Sequence, residues 1–266
     1  MTLYGSKMIR HRLESIGRKL CRLFLIAMGI GISVGSISFV SAGEKDTKNG
    51  RPVVVELFTS QGCNSCPPAE AYLNRLADRE NVIALEFHVD YWDYIGWKDP
   101  YAAPEFTKRQ KSYVSPLGMR YVYTPQMVIN GRSHEVGSRE RAVEFEIEQA
   151  LADEPLSFPI VTVSHGSETL DIQIEANGHN VDTIYDIIVV SFDDRHETEI
   201  TRGENRGKTL VSSNIVRDMH VVGTWTGGDM SANLHIDNLR GDGGCAVLLQ
   251  KQGGGEILAA AMLNLG

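Results

Sequence analysis

The apolar run Val53-Val54-Val55-Glu56-Leu57-Phe58 reads as a strand carrying one acid. After a short polar stretch, Ala71, Tyr72 and Leu76 recur at helical spacing behind Pro67-Pro68, predicting a helix over residues 67–79. The same alternation continues with a strand over 82–89, a helix over 104–113, a strand over 126–130 and a helix over 139–151. In that last helix Val143, Ile147 and Leu151 share one stripe. Asn130-Gly131 is a two-residue hairpin signal, so a short fourth strand is expected over 132–135. The order βαβ, helix, ββ, helix predicts a small α/β sheet with mixed pairing.

After Asp153-Glu154-Pro155 the rhythm changes to short runs rich in Val, Ile, Leu and Thr. They cover residues 158–164, 169–175, 184–192, 209–217, 220–226, 232–236, 246–250 and 257–263, with Gly, Asn and Asp turns between. Strands at this spacing predict an antiparallel β-sandwich. Gly227-Gly228, Gly241-Asp242-Gly243-Gly244 and Gly253-Gly254-Gly255 read as hairpin turns, since none leads from a strand into a helix with the Lys of a phosphate loop.

Residues 1–42 stand apart from both patterns. Lys7, Arg10, Arg12, Arg18, Lys19 and Arg22 precede an uncharged apolar stretch over 23–40, and Val40-Ser41-Ala42 offers small residues at cleavage spacing. The expectation is a signal peptide cut after Ala42 and a periplasmic or secreted protein; at 18 residues the stretch is also long enough for a membrane anchor. Either way the predicted domains are 43–152 and 153–266, the first α/β and the second all-β and sandwich-like.

Without the leader, the chain loses six basic residues and one acidic residue from totals of 26 and 34, leaving 20 against 33 and a formal charge of −13. That balance argues against a broad surface for nucleic acid or anionic lipid. Three cysteines remain, Cys63, Cys66 and Cys245, too few for a disulfide-stapled scaffold. Cys245, inside Gly244-Cys245-Ala246-Val247-Leu248-Leu249, reads as a small buried hydrophobe in a strand.

Cys63-Asn64-Ser65-Cys66 lies between the first predicted strand and the first predicted helix. A helix start offers unpaired N–H groups and the positive end of the helix dipole, which favour a thiolate at the first cysteine, while one turn brings the second alongside. Cys63 is then the attacking thiol and Cys66 the resolving one. Pro67 and Pro68 suit the first helical turn, where a missing N–H costs nothing. An inert structural disulfide and half of a zinc site are the competing readings, and zinc lacks a second ligand pair at metal-binding spacing.

Val55-Glu56-Leu57-Phe58 leading to Cys63-Asn64-Ser65-Cys66-Pro67, with Tyr123-Thr124-Pro125 before a later strand, resembles the thioredoxin superfamily in its glutaredoxin-like minimal arrangement. The segments 56–63, His88-Val89-Asp90-Tyr91-Trp92-Asp93, Gly96-Trp97 and Tyr123-Thr124-Pro125-Gln126 further resemble an uncharacterised family of exported bacterial thioredoxin-like proteins. The resemblance implies a cis Pro125 beside the cysteines and a Thr124 backbone free to pair with an extended substrate. It also implies that Glu56 moves the proton of the resolving cysteine, although Glu56 sits one position further from Cys63 than in the common pattern. Gln61-Gly62 and Asn64-Ser65 depart from thioredoxin itself, so reductase, oxidase and isomerase are not ranked.

His88, Asp90, Tyr91, Trp92, Asp93, Tyr94 and Trp97 crowd the carboxyl end of the second strand, which in a parallel arrangement lies beside the carboxyl end of the first, where Cys63 is expected. They predict an aromatic and acidic wall to a substrate groove. His88 reads first as a hydrogen-bonded core residue, and a metal site from His88, Asp90 and Asp93 would suit zinc or copper.

The sequence therefore points to an exported thiol–disulfide oxidoreductase of thioredoxin-like fold, without a cofactor or a resident metal. Cys63, Cys66 and Glu56 are its catalytic candidates, and Thr124, Pro125, Trp92, Trp97 and Asp90 its substrate contacts. Its partners are protein thiols or disulfides, with a membrane electron donor admitted and nucleic acid excluded. Two other readings stand beside it: a periplasmic metallochaperone-like protein holding copper through the cysteines with His88 or His134, and a partner-binding scaffold with a locked disulfide.

Overall fold

β1 (Val53–Thr59) and β2 (Val82–His88) are parallel neighbours, Val53 opposite Val82 and Thr59 opposite His88, joined through α1 (Pro67–Ala77). Every residue of both strands is buried, as expected of strands covered on both faces. The computed structural model describes residues 51–152, 157–179 and 181–265, so the expected leader over 1–42 lies outside the described residues. Among those described, no helix is long and apolar enough to cross a membrane.

α2 (Pro104–Ser112) precedes β3 (Gln126–Ile129), which pairs antiparallel with β1, and β4 (Ser133–Val136) follows antiparallel to β3. Asn130 and Gly131, at φ 46° and 62°, make the tight turn between them. α3 (Glu140–Ala152) packs Val143 and Ile147 with Leu73 and Leu76 of α1 against Val53, Val55 and Leu57.

The remaining elements are β5 (Ile160–His165), β6 (Thr169–Glu175), β7 (Tyr185–Glu199), β8 (Thr209–Trp225), β9 (Met230–His235), β10 (Gly244–Lys251) and β11 (Ile257–Asn264). They do not build a separate sandwich. Four of them extend the first sheet, giving the eight-stranded order β11-β10-β7-β8-β2-β1-β3-β4, while β5, β6 and β9 form a three-stranded sheet.

This overturns the expectation of an α/β thioredoxin-like domain followed by an all-β, sandwich-like one. The join is the parallel contact of β2 with β8 at Glu86 and Ile215. It is reinforced by the Ser213 N–H donating to Glu86 Oε2 at 3.2 Å and Asn214 Nδ2 donating to the Ala84 carbonyl at 2.9 Å. Edge-to-edge pairing of this kind leaves no mark on the periodicity of either strand, which reports faces and not neighbours.

The core follows the sheet across the expected boundary. Val54, Phe58, Ile83, Leu85 and Phe87 from β1 and β2 share one cluster with Phe106 and Tyr113 and with Ile188, Val190, Phe192, Ala246 and Leu248. Behind them, the three-stranded sheet covers the other side of β7 and β10 through Val163, Leu170, Ile172, Ile187, Val189, Val247 and Leu249. Cys245 belongs to that second cluster, fully buried and unpaired, and burial raises its thiol to about 12.

The two ends of the large sheet also meet. The Ile257 N–H donates to the Asn130 carbonyl at 2.8 Å, and a Cβ on Gly131 would lie 1.9 Å from the Gly255 carbonyl oxygen. Only glycine allows the β3–β4 and β10–β11 turns to approach so closely.

β7 and β8 are longer than their apolar runs predict. The pattern splits β8 at residues 217–220, whereas the strand is continuous with a register shift there: Ser191 faces Asp218 and Phe192 faces Val216, leaving Arg217 extra. Such a bulge breaks the two-residue alternation without ending the strand.

Candidate functional site

Between β1 and α1 the chain turns through Ser60 to Cys66, and Cys63 and Cys66 are joined by a disulfide with their Cα atoms 5.5 Å apart. Cys66 stands at the N-cap of α1, with two prolines opening the helix. Asn64 and Ser65 are exposed, yet Cys63 is only 1 % exposed and Cys66 fully buried.

The turn is held by buried partners on several sides. The Cys63 N–H reaches the Ser60 carbonyl at 3.0 Å, the Gly62 N–H the Ser60 hydroxyl at 3.1 Å, and the Gln61 N–H the Asp99 carboxylate at 2.7 Å. Asn205, on the loop between β7 and β8, donates through Nδ2 to the carbonyls of Gln61 at 2.8 Å and Cys63 at 2.9 Å.

Thr124 precedes Pro125 through a cis peptide bond at the entry to β3. Its hydroxyl donates to Cys63 Sγ at 3.3 Å and accepts the Trp92 indole N–H at 2.8 Å. Trp97 donates to the Gln61 side chain at 3.1 Å. Thus the structure gathers Cys63, Cys66, Thr124, Pro125, Trp92 and Trp97 around one turn.

Two other residues singled out in the sequence do not join them. Glu56 faces α2, where its carboxylate accepts from Arg109 and Tyr113, and no described hydrogen bond links it to a cysteine. Arg109 also donates to Gln250 Oε1 at 3.1 Å, closing a buried network that includes β10. Burial opposes the Arg109 charge, but Glu56 outweighs it and fixes the guanidinium in its protonated form. Burial, with the Glu56 carboxylate adding, raises the Tyr113 phenol well above its ordinary range. Asp90 ties the loop to α2, its carboxylate accepting from the Thr107 hydroxyl at 2.6 Å.

Behind the cysteines lies His88, the buried hydrogen-bonded core residue that the sequence suggested, with Glu86 and Asp99, which sequence reading passed over. His88 Nδ1 is 2.7 Å from Asp99 Oδ2 and its Nε2 is 3.1 Å from Glu86 Oε1, all three side chains being buried. Burial disfavours the imidazolium, yet Asp99 and Glu86 outweigh it and raise His88 well above its usual value. Burial likewise opposes ionisation of Asp99, but His88 and the N–H groups of Gln61 and Tyr101 hold it below its usual value. An ionised Asp99 is a stronger acceptor for the Gln61 N–H than a protonated one. With both ring nitrogens engaged, His88 has no lone pair free for a metal, and His134 Nδ1 is paired with the Tyr123 hydroxyl at 2.8 Å.

Glu70 lies one helical turn after Cys66 and is 2 % exposed. The Thr59 hydroxyl donates to its Oε1 at 2.7 Å, while Oε2 is buried without a partner. Burial, with the Glu86 charge adding to it, raises Glu70 to about 8. An acid in the first turn of a helix reads from sequence as a surface partner of the helix dipole. Asn205 reads as part of a polar turn, and nothing local marks either for the site.

Among the described residues, Asp193, His196 and Asp242 could gather around a cation, but the group contains no cysteine, and Arg217 already lies 3.3 Å from Asp193.

The family model described as "Protein of unknown function (DUF1223)" matches residues 54–250. The crystal structure of protein AGR_C_4864 from Agrobacterium tumefaciens is similar, with 32% identity, coverage of 82% of this chain and 96% of that one, and a TM-score of 0.71. HBP35 of Porphyromonas gingivalis shares the fold at 12% identity, with 81% and 75% coverage and a TM-score of 0.57. No curated protein matches the chain.

Proposed function

The chain belongs to the DUF1223 family, and from that premise we propose that it is an exported thiol–disulfide oxidoreductase whose redox pair is Cys63 and Cys66. The observation that carries this reading is the bonded pair at the start of α1 with the Thr124 hydroxyl donating to Cys63 Sγ at 3.3 Å. A hydrogen bond to that sulfur favours the thiolate over the thiol, as does the helix start.

With the pair oxidised, a substrate thiolate attacks Cys63 Sγ. A substrate–Cys63 bond forms and the Cys63–Cys66 bond breaks, with Cys66 leaving as a thiolate. A second substrate thiolate then attacks the substrate sulfur of the mixed disulfide and releases Cys63. The substrate becomes a disulfide, the pair becomes a dithiol, and two electrons have moved. The same steps in reverse reduce a substrate disulfide. Glu70, on the helix face of Cys66 and buried with it, is the acid suited to supply the proton when Cys66 leaves and to take it when Cys66 attacks.

A persistent disulfide suits an oxidising compartment, in keeping with the expected leader. The protein substrates would meet the pair from the side of Thr124 and Trp92.

Trapping tests the proposal. A Cys66→Ser variant should accumulate mixed disulfides with protein partners through Cys63, and a Cys63→Ser variant should not. Absence of adducts from Cys66→Ser, together with a pair that resists reducing thiols in the unmodified protein, would remove the reading.

A further inference from the structure

The turn that carries Cys63 is gripped by a segment far from it in sequence. The Asn205 amide gives both its protons to the carbonyls on either side of Gly62, and its own oxygen accepts the Lys208 ammonium at 2.8 Å. Turned end for end, the amide would point oxygen at two carbonyls, so only one orientation is satisfied. Asn205 is fully buried, although its neighbours Glu204 and Arg206 are not.

The loop carrying it is preformed. Ile200 N–H reaches the Lys208 carbonyl at 2.9 Å, Gly207 N–H the Ile200 carbonyl at 2.7 Å and Lys208 N–H the Asn205 carbonyl at 3.0 Å. Gly203 sits against the aromatic loop, where a Cβ would lie 3.1 Å from Cβ of Trp97, the residue that also holds Gln61. The strand ends below the loop are fixed to the body: Asn74 Nδ2 donates to the Val211 carbonyl at 2.8 Å.

From this we infer that Asn205 is a specificity-determining residue, holding loop 200–208 over Cys63 so that exchange is confined to protein partners able to displace the loop. The inference rests on the redox reading of Cys63 and Cys66. Cys63 is 1 % exposed, and on this inference small thiols and disulfides reach its sulfur only in the fraction of molecules whose loop is raised. A protein partner offsets the cost of raising the loop with contacts of its own, through surface that a small thiol lacks. Asn205 touches the backbone of Cys63 and not the reacting sulfur, so it positions the turn that carries the nucleophile without entering the bond changes.

The test compares reduction of the Cys63–Cys66 bond by dithiothreitol in the unmodified protein, in Asn205→Ala, and in a chain whose residues 202–206 are replaced by two glycines. Loss of two neutral hydrogen bonds, ~2 kcal/mol, predicts a rate about thirtyfold higher in Asn205→Ala. The shortened loop should react at least as fast. The equilibrium of the pair against a glutathione buffer should stay within about twofold, which a general loosening of the fold would not leave in place. Equal rates in all three folded proteins overturn the cover while leaving the redox reading intact. No reduction in any of them, the shortened loop included, overturns the redox reading and this inference with it.

Discussion

The Thr124 hydroxyl donates to Cys63 Sγ at 3.3 Å while accepting the Trp92 indole N–H at 2.8 Å. One side chain therefore links the first sulfur of the pair to the aromatic loop. Orientation follows from the count of protons: the indole can only donate, so the hydroxyl proton is left for sulfur.

Replacing Thr124 by Val removes that donor at nearly constant volume. A hydrogen bond to a charged acceptor contributes about 1.5–3 kcal/mol, which corresponds to a rise of one to two units in the pKa of Cys63 at ~1.36 kcal/mol per unit. In a Cys66→Ser background, the pH profile of Cys63 alkylation should move to higher pH by about that amount. An unmoved profile would mean that the hydroxyl serves Trp92 alone.

Glu56 is predicted to matter for folding and not for exchange. Its carboxylate faces Arg109 and Tyr113 inside the core shared by α2, β1 and β10. Glu56→Gln leaves the guanidinium buried without its counter-charge, a loss that typically costs about 3–5 kcal/mol. The urea midpoint should fall accordingly, while the rate of disulfide exchange in the folded fraction stays within about twofold of the parent. A large loss of exchange at unchanged stability would return Glu56 to the catalytic group.

Much of the first half was legible because its elements each carry their own period. β1, α1, β2, α2, β3 and β4 follow the predicted order, since helix stripes, prolines at helix starts and the Asn130-Gly131 turn are local signals. Cys63 and Cys66 were marked by their place between a strand and a helix, whereas Thr124-Pro125 was singled out by the resemblance to the thioredoxin superfamily. What escaped was pairing at a distance. The β2–β8 join, the Asp99 acceptor for Gln61 and the Asn205 clamp each depend on where a distant segment lands, which neither a propensity nor a period encodes.

The shared core gives that difference a consequence. A fragment of residues 43–152 would expose the β2 edge and strip Phe58, Leu85 and Phe87 of their partners Ile188, Val190 and Leu248. It is predicted to lack a cooperative unfolding transition, as measured by circular dichroism on heating, and to aggregate through the bare edge. A fragment that melts cooperatively as a monomer would show that the first half holds its own core.

Glu70 makes stability depend on pH in a way that a single substitution isolates. Its value rises from an ordinary 4.5 to about 8, chiefly by burial and then by the nearby Glu86 charge, with His88 and Asp99 also facing it. Below pH 4.5 both folded and unfolded chains hold the proton, and the contribution is fully present. Between there and about 8 the unfolded chain releases the proton while the folded chain keeps it, so stability falls as pH rises. His88, also raised, pulls in the same direction, so the parent protein alone does not separate the two. In Glu70→Gln the carboxyl is gone, and the variant should gain relative to the parent as the pH goes from 5 to 8. Guanidinium melts of both oxidised proteins at several pH values measure that difference directly. A gap between them that does not change with pH would mean that Glu70 is already ionised in the folded protein and has no proton to give to Cys66.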